Sequence, residues 1–193
     1  MTTILARTTL RDRAPGLPVR LSLTPKTAPA GRLDGAWWPH SRDLTAELPP
    51  LVAALDEPRG RITRVTVNPG RWPVIPREVA VDGRRVHVGW FTEQDADKLI
   101  LLSYTVGRWD LLVIPPVTDP AAAGRLMAAA TIPGSGLKAG VLMADEAAIG
   151  RSMRDSRNRE DTWEDEGGAC MSPYGRPIGL RVTTEPVPEN TQG

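Results

Sequence analysis

Residues 78–90 read EVAVDGRRVHVGW. Apolar and polar side chains alternate on both sides of Asp82 and Gly83, the period of two expected of a half-buried strand. Asp-Gly suits the two-residue turn of a hairpin, where positive φ is needed. The stretch therefore predicts two antiparallel strands, 78–81 and 84–90, with Trp90 sharing the inward parity of Val86 and Val88 and with His87 pointing outward.

Working outward, residues 98–104 and 108–114 predict a second hairpin over Val106 and Gly107, closed by Pro115-Pro116. Upstream, residues 61–68 alternate and stop at Pro69-Gly70, and residues 19–24 alternate and stop at Pro25, which removes a backbone donor. The connections between these strands are too short for parallel crossovers, so the sheet is expected to be antiparallel, with about five strands. Leu44, Leu48, Leu51, Val52 and Leu55 form a helical stripe. Pro49-Pro50 predicts a kink or restart in that helix, and Pro58 its end. Asp119-Pro120 offers an N-cap and a first-turn proline for a second helix through AAAGRLMAAAT. Strands in succession with helices after the first and the last predict an α+β domain with helices on one face of the sheet.

The domain is expected to span residues 18–132. Residues 1–17 read as a disordered basic arm, because the stretch from Met1 to Arg20 holds four Arg and one Asp. Residues 133–193 read as a weakly structured acidic extension, since residues 141–193 hold six basic and ten acidic side chains. The whole 193-residue chain is nearly neutral, at +1, with 40% hydrophobic residues and a pI of about 7.9. No apolar run approaches the roughly 18 residues of a membrane span. The segment from Met1 to Gly16 has neither the apolar core nor the small-residue cleavage site of a secretory signal. One cysteine, Cys170, excludes an internal disulfide and any CxxC pair, and the expected compartment is the cytoplasm.

Three strings, VRLSLTPKTAPAGRLDGAWWPHSRDLTAELPPLVAAL, ITRVTVNPGRWP and RWDLLVIPP, together resemble an actinobacterial family of small proteins known as a domain of unknown function. The likeness covers roughly residues 18–132 and is most specific in LDGAWWP, SRDL and RWDLLV followed by PP. It implies a bacterial cytosolic protein and assigns no activity, cofactor or catalytic residue.

Six of the nine aromatic residues are Trp. In a chain so poor in Phe and Tyr most of them are expected to fill the core, Trp90 and Trp109 included. Trp37 and Trp38 are adjacent, and Pro39 holds Trp38 extended, so the pair should point to opposite faces. One could face a pocket near Arg32 and Asp34, while NPGRWP places Arg71 and Trp72 in a turn. If the two loops meet, Arg32, Asp34, Trp37, Trp38, Arg71 and Trp72 form a rim able to grip an anion, a ring or a peptide. The alternative is an Arg71–Asp34 ion pair and Trp stacking that only pins the loops.

No catalytic residue is assigned, and an enzyme acting through Asp34 or His87 near Arg71 is the second reading. His40 and His87 lack metal-ligand spacing, and neither metal nor cofactor is expected. Glu93, Asp95 and Asp97 lack the glycine of a calcium loop and read as a solvated acidic turn. GSGLKAG at 134–140 matches neither phosphate-loop nor dinucleotide spacing and reads as a linker. Nucleic-acid binding through the arm and sheet is a third reading, and the spread charge argues against it. The first reading is a non-catalytic binding module whose expected partner is an unknown protein or small molecule.

Overall fold

The computed structural model describes residues 17–104 and 107–165, with side chains as far as residue 159. Strands β1 (Leu21–Leu23) and β2 (Gly35–Trp37) are followed by helix α1 (Leu44–Arg59) and strand β3 (Ile62–Val67). Then come β4 (Glu78–Val81), β5 (Arg84–Trp90), β6 (Lys98–Ser103) and β7 (Gly107–Val113), and finally α2 (Pro120–Ala130) and α3 (Ala139–Asp165). The chain divides into two compact units, residues 1–154 and 155–193, and the sheet, α1 and α2 lie in the first. The basic arm expected at 1–17 lies outside the described residues except for Leu17, as do residues 166–193 of the expected extension. Val106, expected in the second hairpin turn, also lies outside them.

The α+β class is observed, but among the described residues the sheet is mixed and has seven strands in the order β1-β2-β7-β6-β3-β5-β4. The β4–β5 and β6–β7 hairpins are antiparallel, as their short connections require. The parallel pairs are β2 with β7 and β3 with β5. Neither pair is consecutive in the chain, so the argument from connection length does not reach them. β4 takes the edge and returns the chain so that β5 runs beside β3 in the same direction. The additional strand, β2, lies inside the Gly- and Pro-rich connection and is too short to show a periodicity.

Helices cover both faces rather than one. Along β7, Leu111 and Val113 join Leu44, Leu48, Leu51, Val52 and Leu55 of α1 in one core. The intervening Leu112, with Ile114 just beyond, joins Ala123, Leu126 and Ala130 of α2 and Ala139 and Leu142 of α3 in the other. The adjacent tryptophans divide in the same way: Trp37 is buried in the first core, and Trp38 packs against the second. The packed core thus continues past Ile132, because Ala139 and Leu142 at the start of α3 are buried in the second cluster.

Helix α1 runs unbroken through Pro49, Pro50 and Pro58. The carbonyls that lose an i+4 donor belong to Thr45, Ala46 and Ala54, all exposed residues, where solvent can substitute for the missing bonds, while Pro49 is buried. Asp43 caps the helix by accepting from the Thr45 N–H at 2.9 Å. At the other end buried Arg59 donates to the Thr24 carbonyl and lies 4.5 Å over the Trp109 ring. Trp109 packs against the first core as expected, whereas Trp90, at the last residue of β5, is 50% exposed despite its inward parity.

Two glycines distinguish steric crowding from backbone strain. Gly35 has φ +152°, and a Cβ there would lie 2.2 Å from the Ser22 carbonyl oxygen of the paired strand. Gly83 has φ +76° in the β4–β5 turn, beside Asp82 at +46°, with nothing within 4 Å of an added Cβ. Gly83→Ala is expected to cost about 1 kcal/mol, the left-handed conformation alone. Gly35→Ala should cost more than about 3 kcal/mol or prevent folding, because backbone must move as well. Urea unfolding of the two variants checks the ranking; equal losses would refute it.

Candidate functional site

The loop before β2 and the segment before α3 cross. The Arg32 N–H donates to the Ser135 carbonyl at 2.9 Å, and the Gly134 N–H to the Pro29 carbonyl at 3.0 Å. The approach is tight at Gly31, where a Cβ would stand 3.0 Å from the Ser135 oxygen. Gly134 itself has φ +68°. GSGLKAG, expected to be a linker, is therefore fixed against the domain and delivers Lys138 to the start of α3.

A cleft of about 450 Å³ lies between this crossing and the sheet, lined by Gly31, Arg32, Leu33, Asp95, Lys98, Arg108, Asp110, Lys138 and Ala139. The ionic lining is four cations against two carboxylates, a net of +2. Arg108 and Asp110 alternate along β7 with the core residues Trp109 and Leu111, which places both on the cleft's face of the sheet. Lys98 is paired with Leu112 across β6 and β7.

Asp110 organises two of the cations. Its Oδ2 accepts from Lys98 Nζ at 3.0 Å and from Arg108 at 2.9 Å, and its Oδ1 from Arg108 Nε at 2.7 Å. The bond to Asp110 raises the Arg108 pKa despite opposing desolvation. Asp95 accepts one backbone bond on each oxygen, from the Asp97 N–H at 3.0 Å and from the Gly140 N–H at 3.1 Å. The first turn of α3 is thereby capped from within the molecule. Arg32 and Lys138 are different, since neither side chain has a hydrogen-bond or ionic partner among the described residues.

The six residues expected to form a rim divide among several surroundings. Arg32 lines the cleft. Asp34 is half-buried beside it, its Oδ2 accepting from the Asp110 N–H at 2.8 Å and its own N–H donating to the Asp110 carbonyl at 2.7 Å. Trp37 and Trp72 are buried and stacked, with centroids 5.8 Å apart and planes inclined by 18°. Trp38 donates from Nε1 to the Pro115 carbonyl at 3.2 Å, and the Arg20 guanidinium lies 3.5 Å from its ring centroid. Arg71 pairs with Asp97 rather than Asp34. Beside Arg71 and Trp72 there is a crevice of only about 10 Å³, at the limit for one water.

Asp97, expected in a solvated turn, is buried under that ion pair. His87 is exposed and pairs with Glu78 at 3.1 Å, on a strand four positions from β2 in the sheet, roughly 19 Å across at about 4.8 Å per strand. Asp34, His87 and Arg71 are thus not brought together. No group of three or more His, Cys, Asp or Glu among the described residues could hold a metal ion. Sequence reasoning missed Lys98, Arg108, Lys138, Asp95 and Asp110. One signal was present: two of the chain's three lysines, against 21 arginines, line this one cleft.

Burial raises the pKa of Asp34 above its ordinary 3.8, against the opposing hydrogen bond from Asp110 and the charge of Arg59. Burial also raises Asp97, outweighing its attraction to Arg71. The folded state therefore holds these protons to higher pH than the unfolded chain. Their effect is a loss of stability as pH rises from 3.8 through the raised values. Asp34→Asn keeps an acceptor for the Asp110 N–H and removes one of the two titrations. Its urea midpoint should fall less than the parent's between about pH 4 and pH 7. A steeper fall in the variant would reverse the assignment.

No curated protein and no solved structure matches the chain. A family model matches residues 20–130, which carry Arg32, Asp34, Asp95, Lys98, Arg108 and Asp110 and end before Lys138. With more than half its length in that match, the chain belongs to the Family of unknown function (DUF5994).

Proposed function

We propose that the protein is a non-catalytic binding module that takes a small anionic ligand in the cleft lined by Arg32, Lys98, Arg108 and Lys138. The observation that carries this reading is the contrast among the cations. Lys98 and Arg108 are positioned by Asp110, while Arg32 and Lys138 line the same cavity with no acidic partner among the described residues. Two uncompensated charges beside two oriented ones favour an anion that can accept several charge-assisted hydrogen bonds at once. The volume lies in the range of small-ligand sites.

The remaining members of the expected rim have other work. Trp37 and Trp72 supply core area, Trp38 and Arg20 clamp the β2 exit, and Arg71 neutralises Asp97. Asp34 supports the floor through its two bonds to the Asp110 backbone. A bacterial, cytoplasmic setting is part of this proposal and fits a ligand drawn from soluble metabolites.

Arg32→Ala and Lys138→Ala remove exposed side chains that have no partner among the described residues, so the melting temperature of the free protein should stay within about 2 °C. Each should weaken pyrophosphate binding, measured by isothermal titration calorimetry at low salt, by about tenfold, the loss of one charge-assisted contact. Unchanged affinity in both variants would refute the cleft as the site.

A further inference from the structure

Resting on that reading, we infer that the ligand is a phosphomonoester carried on a hydroxylated carbon frame, such as a sugar phosphate or a phosphorylated cyclitol. The lining contains no aromatic side chain, and Leu33 and Ala139 are its only apolar side chains. A planar ring would find no aromatic surface and could stack only on the guanidinium groups of Arg32 and Arg108, which the anion also claims, unlike sites that hold nucleobases between aromatic or broad apolar surfaces.

The two carboxylates add a second requirement on the ligand. Asp110 and Asp95 belong to a cavity that is otherwise cationic. Each Asp95 oxygen accepts one backbone N–H, and a carboxylate oxygen can accept two hydrogen bonds, so each keeps an acceptor position. Purely anionic ligands such as inorganic phosphate or pyrophosphate can use the cations but are repelled by these oxygens. A ligand with hydroxyl donors next to its phosphate satisfies both sets. Arg32 and Lys138 suit the dianionic head, and the carboxylates suit the hydroxyls. The volume of about 450 Å³ exceeds what a bare phosphate can fill and leaves room for a frame of hexose size.

The test is calorimetric titration of the full chain with glucose 6-phosphate, glucose, inorganic phosphate, pyrophosphate and AMP. A parallel arm measures co-sedimentation with phosphatidylcholine vesicles containing phosphatidylinositol 4-phosphate. Glucose 6-phosphate is expected to bind at least tenfold more tightly than inorganic phosphate or AMP, and glucose not measurably. The Arg32→Ala/Lys138→Ala double variant should lose the binding while retaining the parent's melting temperature. Binding to the vesicles but not to the soluble sugar phosphate would support the same chemistry and assign its source to a lipid headgroup. Equal affinity for phosphate, pyrophosphate and glucose 6-phosphate would overturn the hydroxylated frame while leaving the anion-binding reading intact. Tighter binding of AMP would overturn it in favour of a ring-bearing ligand. Failure of every anion and of the vesicles would remove the anion-binding reading and this inference with it.

Discussion

The chain passes so close to itself at Asp34-Gly35 that little else in the first unit could be arranged differently. Gly35 lies against the Ser22 carbonyl where no side chain fits. Asp34 meanwhile exchanges two hydrogen bonds with Asp110 and accepts the Thr24 N–H on its own carbonyl at 2.9 Å. These contacts hold β2 between β1 and β7. They send Ala36 and Trp37 into opposite cores and set Arg32 where the 134–135 segment can cross it. The cleft therefore depends on a main-chain constraint just beyond its lining more than on any interaction among its own charges.

Local features were legible from the sequence, and features depending on distant partners were not. Asp82-Gly83 announced its hairpin because the turn needs only the residues it contains. The opposite destinations of Trp37 and Trp38 followed from Pro39 and extended geometry alone. The strand at Gly35–Trp37 was invisible because its evidence lies in its neighbours, Leu21–Leu23 before it and the far later stretch from Leu111 to Val113. Trp90 had the correct parity, but parity says nothing about where α1 ceases to cover the strand. Proline statistics predicted a break in α1 that the exposed carbonyls of Thr45, Ala46 and Ala54 make unnecessary.

The candidate site was legible for Arg32 and for the neighbourhood of Asp34, and elsewhere it was not. Lys138 sits in a segment whose spacing matches no phosphate-binding motif, and it reaches the cleft where two loops cross closely at Gly31. Asp95 and Asp97 look alike as acidic turn residues, yet one caps α3 and the other is buried beneath Arg71. Charge alternation in sequence could not separate these roles. Nor could it show that Asp110, nominally a strand residue among hydrophobics, orients two cations.

The edges of the sheet carry a consequence for assembly. Among the described residues, β1 and β4 are the outermost strands, three and four residues long, and each is paired antiparallel with one neighbour. Pro25 follows the first closely and Pro76 precedes the second, each lacking the N–H that an incoming strand would engage. Edges this short blunt strand-to-strand templating, the usual route by which exposed sheets polymerise or recruit extended peptides. Seven strands can thus remain a finite sheet without closing into a barrel.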